Sequence, residues 1–83
     1  MMNLGFAIIK DHARLQMQKR GVPESEVRAV LNQPEAVLPV RTGRVVAQTV
    51  FDRYMIRVFV DIDRDPNEVV TAYRTSKIDK YRS

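Results

Sequence analysis

Apolar and polar positions alternate most regularly between residues 54 and 62. Tyr54, Ile56, Val58, Val60 and Ile62 fall on one side, and Met55, Arg57, Phe59 and Asp61 on the other. A period of two predicts a strand with two unlike faces. The first set reads as a core face packed on helices. The second sets Arg57 between two large apolar neighbours on the opposite side of the sheet. Residues 44–51 predict a neighbouring strand, joined to it through the tight Asp52-Arg53 connection of a hairpin. Asp63-Arg64-Asp65-Pro66-Asn67 is turn chemistry, and residues 68–76 predict a final strand rich in β-branched and aromatic side chains. Ala36-Val37-Leu38 reads as a short strand. Pro39 either ends it or confines it to a sheet edge, because proline cannot donate to a ladder, and Thr42-Gly43 is a turn.

Upstream the period changes. Asp11 is a good helix N-cap, Ala13 and Met17 share a face, and Lys19 and Arg20 place cations in a last turn that Gly21 closes. These features predict a helix over residues 11–20. A second helix begins just after Pro23, carries Glu24 and Glu26 in its first turn, and shows an apolar stripe at Val27, Val30 and Leu31. Pro34 ends it near Asn32. Residues 6–9 suit a short strand or a packing segment. The pattern as a whole predicts one α+β domain over residues 1–83, with two N-terminal helices packed on one face of a four-stranded, mainly antiparallel sheet.

Composition narrows the chemistry. With 83 residues and no cysteine, disulfides, thiolate nucleophiles and cysteine-based zinc sites are excluded. Small secreted domains usually depend on disulfides, so a cytoplasmic home is expected. No apolar run approaches the ~20 residues of a membrane span, so no membrane partner is expected. A net charge of +4 favours an acidic partner such as nucleic acid or an acidic protein. The three glycines are isolated, so no phosphate-cradling loop is present. Asp61, Asp63 and Asp65 are spaced like a calcium loop, but Pro66 and Ala72 stand where that loop needs a glycine and an acid, and a polar hairpin loop is the better reading. His12 is the single histidine, which rules out paired-histidine metal sites. Neither a metal nor a cofactor is expected.

What remains is a basic, hydroxyl-rich set: Arg57 on the middle strand, and Arg74, Thr75, Ser76, Lys77, Lys80 and Tyr81 at the end of the chain. RNA is cleaved without metal when its 2′-OH attacks the adjacent phosphate, given a base, an acid and cations on the phosphorane. His12 suits the base, Arg57 and Lys77 the cations, Tyr81 an orienting or donating group, and Tyr73 a stacking platform for a base. The plainer alternative also stands. Arg74 and Lys77 are then solvated strand ends, Tyr81 anchors the tail, and His12 packs at a helix start beside Leu15.

Several of these segments recur together. They are His12-Ala13, Arg20-Gly21, a second helix closed by Pro34, the strand Arg-Val-Phe-Val-Asp at residues 57–61, and the tail Val-Thr-Ala-Tyr-Arg-Thr-Ser-Lys-Ile-Asp-Lys-Tyr at residues 70–81. Together they resemble a family of small, mostly uncharacterised bacterial proteins similar to the BrnT and RelE-like toxins of the barnase, EndoU, colicin and RelE superfamily. The resemblance implies helices on an antiparallel sheet, a metal-independent endoribonuclease, and a toxin paired with a cognate antitoxin. A homodimer is a further expectation. Carried over residue by residue, it implies site roles for His12, Arg57 and the Thr75, Ser76, Lys77 group, with Tyr81 as a looser match to a C-terminal tyrosine. With the residue reading above, His12, Arg57, Lys77 and Tyr81 are the expected catalytic residues, and Tyr73, Arg74, Thr75, Ser76 and Lys80 the expected RNA contacts. The chain departs from the family at Gln16, where an arginine is frequent. Two other functions stay open: a non-catalytic module that binds RNA or protein, and a ParE-like toxin that inhibits gyrase.

Overall fold

The computed structural model describes residues 3–82. The chain runs β1 (Ile8–Ile9), α1 (Asp11–Lys19), α2 (Glu24–Asn32), β2 (Ala36–Arg41), β3 (Arg44–Phe51), β4 (Tyr54–Asp61), β5 (Glu68–Thr75) and α3 (Ile78–Tyr81). The strands form one sheet in the order β1-β5-β4-β3-β2. β2 to β5 are antiparallel neighbours, while β1 pairs parallel with β5.

The expectation of two N-terminal helices on a four-stranded, mainly antiparallel sheet is therefore corrected. The sheet has five strands and is mixed, one strand precedes the helices, and a third helix follows the last strand. The physical reasons are local. β1 is two residues long, too short to show a period, and exists because the edge of β5 offers unpaired backbone groups. Ile8 N–H donates to the Asn67 carbonyl at 2.8 Å, and Arg28 Nη1 holds the Ala7 carbonyl at 2.6 Å just before it. α3 is a single turn, which intrinsic propensity does not sustain, so tertiary contacts must hold it.

The core lies between α1, α2 and one face of the sheet. Ala13, Met17, Val27, Val30 and Leu31 pack against Val45, Ala47, Ile56, Val58, Val60, Val69 and Ala72. The face expected for residues 54–62 is thus the one packed on the helices, while Met55 on the opposite face is also buried. Gly21 (φ +67°) closes α1, and Asp52 takes φ +51° in the two-residue β3–β4 turn, a conformation asparagine and aspartate tolerate best after glycine.

The β2 edge is blunted from within. Ile62 N–H donates to the Gly43 carbonyl, and Glu35 N–H to the Gln48 carbonyl. With the alternation of an antiparallel ladder, this directs the backbone groups of Val46 and Gln48 toward β2 and those of their partners Leu38 and Ala36 back toward β3. Val37 and Pro39 consequently face outward, where proline presents a carbonyl and no donor.

Candidate nucleic-acid interface

The sheet face turned away from α1 and α2 carries two cross-strand rows. Leu38, Val46 and Phe59 form an apolar one, which ends at Thr71, whose hydroxyl bonds Gln16 and Arg20, and Ala36, Gln48, Arg57 and Tyr73 form a polar one. The second row is built around Arg57. Its Nε donates to Gln48 Oε1 at 3.0 Å and its Nη1 to the Tyr73 hydroxyl at 2.8 Å. The guanidinium carbon lies 4.0 Å from the centroid of the Tyr81 ring, with Phe59 and Tyr73 at 5.6 and 5.9 Å. A guanidinium has five N–H donors. Two are given to Gln48 and Tyr73, which leaves three without a protein partner among the described residues.

α3 brings Tyr81 here. Gln48, only 2% exposed although it faces away from the helices, donates from Nε2 to the Tyr81 carbonyl at 2.8 Å, and Arg82 pairs with Glu35 at 2.9 Å. Gln48 therefore spends one end on Arg57 and the other on the tail. Sequence reasoning missed it. The available signal was a lone amide inside the apolar run Val45-Val46-Ala47-Gln48, directly opposite Arg57 in a hairpin register.

The electrostatics separate the two phenols. Burial pushes the Tyr73 hydroxyl up, as does the neighbouring Tyr81, and the nearby Arg57 offsets only part of this. Tyr81 is pulled down, first by the neighbouring Tyr73 hydroxyl and further by the charges of Lys80 and Arg57. Arg57 thus donates to the less acidic phenol, Tyr73, and lies over the ring of the more acidic one, Tyr81. Lys80 Nζ lies 5.3 Å from the Tyr81 ring centroid. Beside it a groove of about 560 Å³ is lined by Val50, Asp52, Ser76, Lys77, Lys80 and Arg82, among others.

Of the residues expected from sequence, Arg57, Tyr73 and Tyr81 are brought together, and Lys80 borders them. Ser76 and Lys77 lie along the groove. Thr75 lies in the neighbouring row, in register with Met55, and its hydroxyl accepts from Lys77 N–H at 3.0 Å. Arg74 stands apart, stacked 5.0 Å over the Tyr54 ring, whose hydroxyl donates to Glu26. His12 lies exposed on α1, with Gln16 at 3.4 Å, and no described contact joins it to Arg57. Asp61, first of the three spaced aspartates, is claimed by Arg44 at 2.6 Å. No group of three or more histidine, cysteine, aspartate or glutamate side chains gathers among the described residues, and no helix among them is long and apolar enough to cross a membrane.

Searches of curated proteins and of solved structures return no match. One family model does match, over residues 9–74, a span that holds His12, Gln48, Arg57 and Tyr73 and stops short of Lys77, Lys80 and Tyr81. The chain belongs to the family described as a domain of unknown function, DUF4258.

Proposed function

We propose that the protein cleaves RNA at the Arg57–Tyr73–Tyr81 centre without a metal ion. One observation carries the reading: a guanidinium with unspent donors is fixed beside a phenol whose acidity its neighbours raise. The resemblance to BrnT and RelE-like toxins supports it through the strand at residues 57–61 and the tail at residues 70–81. It draws nothing from the fold.

In this mechanism the free N–H groups of Arg57 bind the scissile phosphate and stabilise the charge that builds on the phosphorane. The Tyr81 oxygen accepts the proton of the attacking 2′-OH. A bond forms between the 2′-oxygen and phosphorus, the bond from phosphorus to the 5′-oxygen breaks, and that oxygen leaves with a proton supplied by Lys80. The products are a 2′,3′-cyclic phosphate and a 5′-hydroxyl. Ser76 and Lys77 hold flanking phosphates along the groove, and Tyr73 with Phe59, stacked at 6.0 Å, backs the site with aromatic surface. A cytoplasmic setting and a cognate antitoxin belong to the same proposal.

Purified protein incubated with RNA in EDTA tests it. The expected result is fragments ending in 2′,3′-cyclic phosphate, lost on Arg57→Ala and reduced on Tyr81→Phe. A second reading, RNA binding without turnover, rests on Gln16, which stands where the resembled family frequently has an arginine. Salt-dependent RNA affinity with no fragments would establish it in place of cleavage.

A further inference from the structure

A hydrogen-bond chain outside the Arg57 centre joins α1 to β5 and ends on the single histidine. Arg20 Nη1 donates to Thr71 Oγ1 at 2.9 Å and to the Ala72 carbonyl at 3.2 Å. A guanidinium can only donate, so the Thr71 oxygen accepts there and its own hydrogen is free to go elsewhere. That hydrogen goes to Gln16 Oε1 at 2.6 Å. The separation is that of an O–H···O bond and too short for N–H···O, which fixes the oxygen end of the Gln16 amide against Thr71. The amide nitrogen is thereby turned to His12, 3.4 Å from its Nε2. An amide nitrogen has only hydrogens to give, so Nε2 must meet it with a lone pair.

We propose that Gln16, oriented by Thr71 and Arg20, is a positioning residue that holds neutral His12 in the tautomer with its hydrogen on Nδ1. The lone pair a general base would use is then the one Gln16 occupies. His12 instead presents an N–H donor from an exposed helix position, suited to an oxygen acceptor on a ligand and unsuited to removing a proton. This inference is independent of the proposed RNA cleavage.

Because His12 is the only histidine, its ring nitrogens are identified without ambiguity. A long-range 15N–1H correlation spectrum of the intact chain at about pH 8, above the ordinary imidazole titration, reads the tautomer directly. The expected wild-type pattern is a protonated Nδ1 and a bare Nε2. Gln16→Glu, whose carboxylate only accepts, should move the hydrogen to Nε2. Gln16→Ala and Thr71→Val should lose the Nδ1–H preference, with amide dispersion in the same samples showing that each variant is folded. A wild-type ring with its hydrogen on Nε2, or an unchanged ring in Gln16→Glu, overturns the proposal.

Discussion

Arg57 supports two neighbours at once, and the consequences of removing it follow from their burial. Gln48 is 2% exposed and its oxygen accepts from Arg57 Nε. Arg57→Ala leaves that buried oxygen unpaired, a loss of about 1–3 kcal/mol, which urea denaturation should show. Arg57→Lys is expected to fall short of rescue, since one ammonium cannot serve Gln48 and Tyr73 while stacking flat on Tyr81. The phenols give a second prediction. A tyrosine ordinarily ionises near pH ~10. Tyr54 is pushed up, chiefly by its hydrogen bond to Glu26, and Tyr73 is also raised, whereas Tyr81 is lowered. Ultraviolet titration should therefore show one phenol ionising ahead of the other two, and Tyr81→Phe should delete that first step. Deletion of a later step would misplace the acidic phenol. At this scale the sequence made Arg57, Tyr73 and Tyr81 legible as candidates by type and position. Gln48 was hidden, because its importance comes from a cross-strand register that no single stretch of chain displays.

At the scale of elements, turns and cross-strand pairs carry the predictions. Gly43 sits at φ +82°, and a Cβ there would lie 2.7 Å from Asp63 Oδ2. Gly43→Ala is expected to cost more than about 1 kcal/mol, measured as a lowered denaturation midpoint. Asp61 is held below the usual carboxylate range by the hydrogen bond from Arg44, helped by the charges of Arg44, Arg41 and Arg64 and opposed by burial. Its contribution to stability is complete above the unfolded carboxyl value of about 3.9 and is lost as pH falls through the lower folded value. Stability measured from pH ~5 downward should thus decline less steeply in Asp61→Asn than in wild type. α1, α2 and β4 were readable from their periods, and β3 and β5 from β-branched composition between turn signals, although Lys10 and not the expected Asp11 is the N-cap of α1 and neither helix start carries a side-chain cap bond. β2 was readable only to Leu38, since the strand continues through Pro39 as an edge whose missing donor faces outward. β1 and α3 left no period to read, and both exist through contacts made by distant residues.

Across the whole molecule the two faces of the sheet divide the work. One buries the aliphatic residues against α1 and α2, and the other collects Arg57, Tyr73, Tyr81 and the groove that Lys77 and Lys80 line. The net charge of +4 suits the polyanion that the second face is proposed to meet. Of this arrangement the sequence showed the buried face of β4 and the position of Arg57 opposite it. It could not show that α3 folds the tail back over that arginine, because a four-residue helix is fixed by where Gln48 and Glu35 stand. The central claim is tested most directly by following the 2′,3′-cyclic phosphate ends formed from RNA in EDTA by wild type, Arg57→Ala and His12→Ala. Cyclic ends from wild type and His12→Ala, absent with Arg57→Ala, are the predicted result. Equal yields from wild type and Arg57→Ala, or no cleavage by wild type, would contradict it.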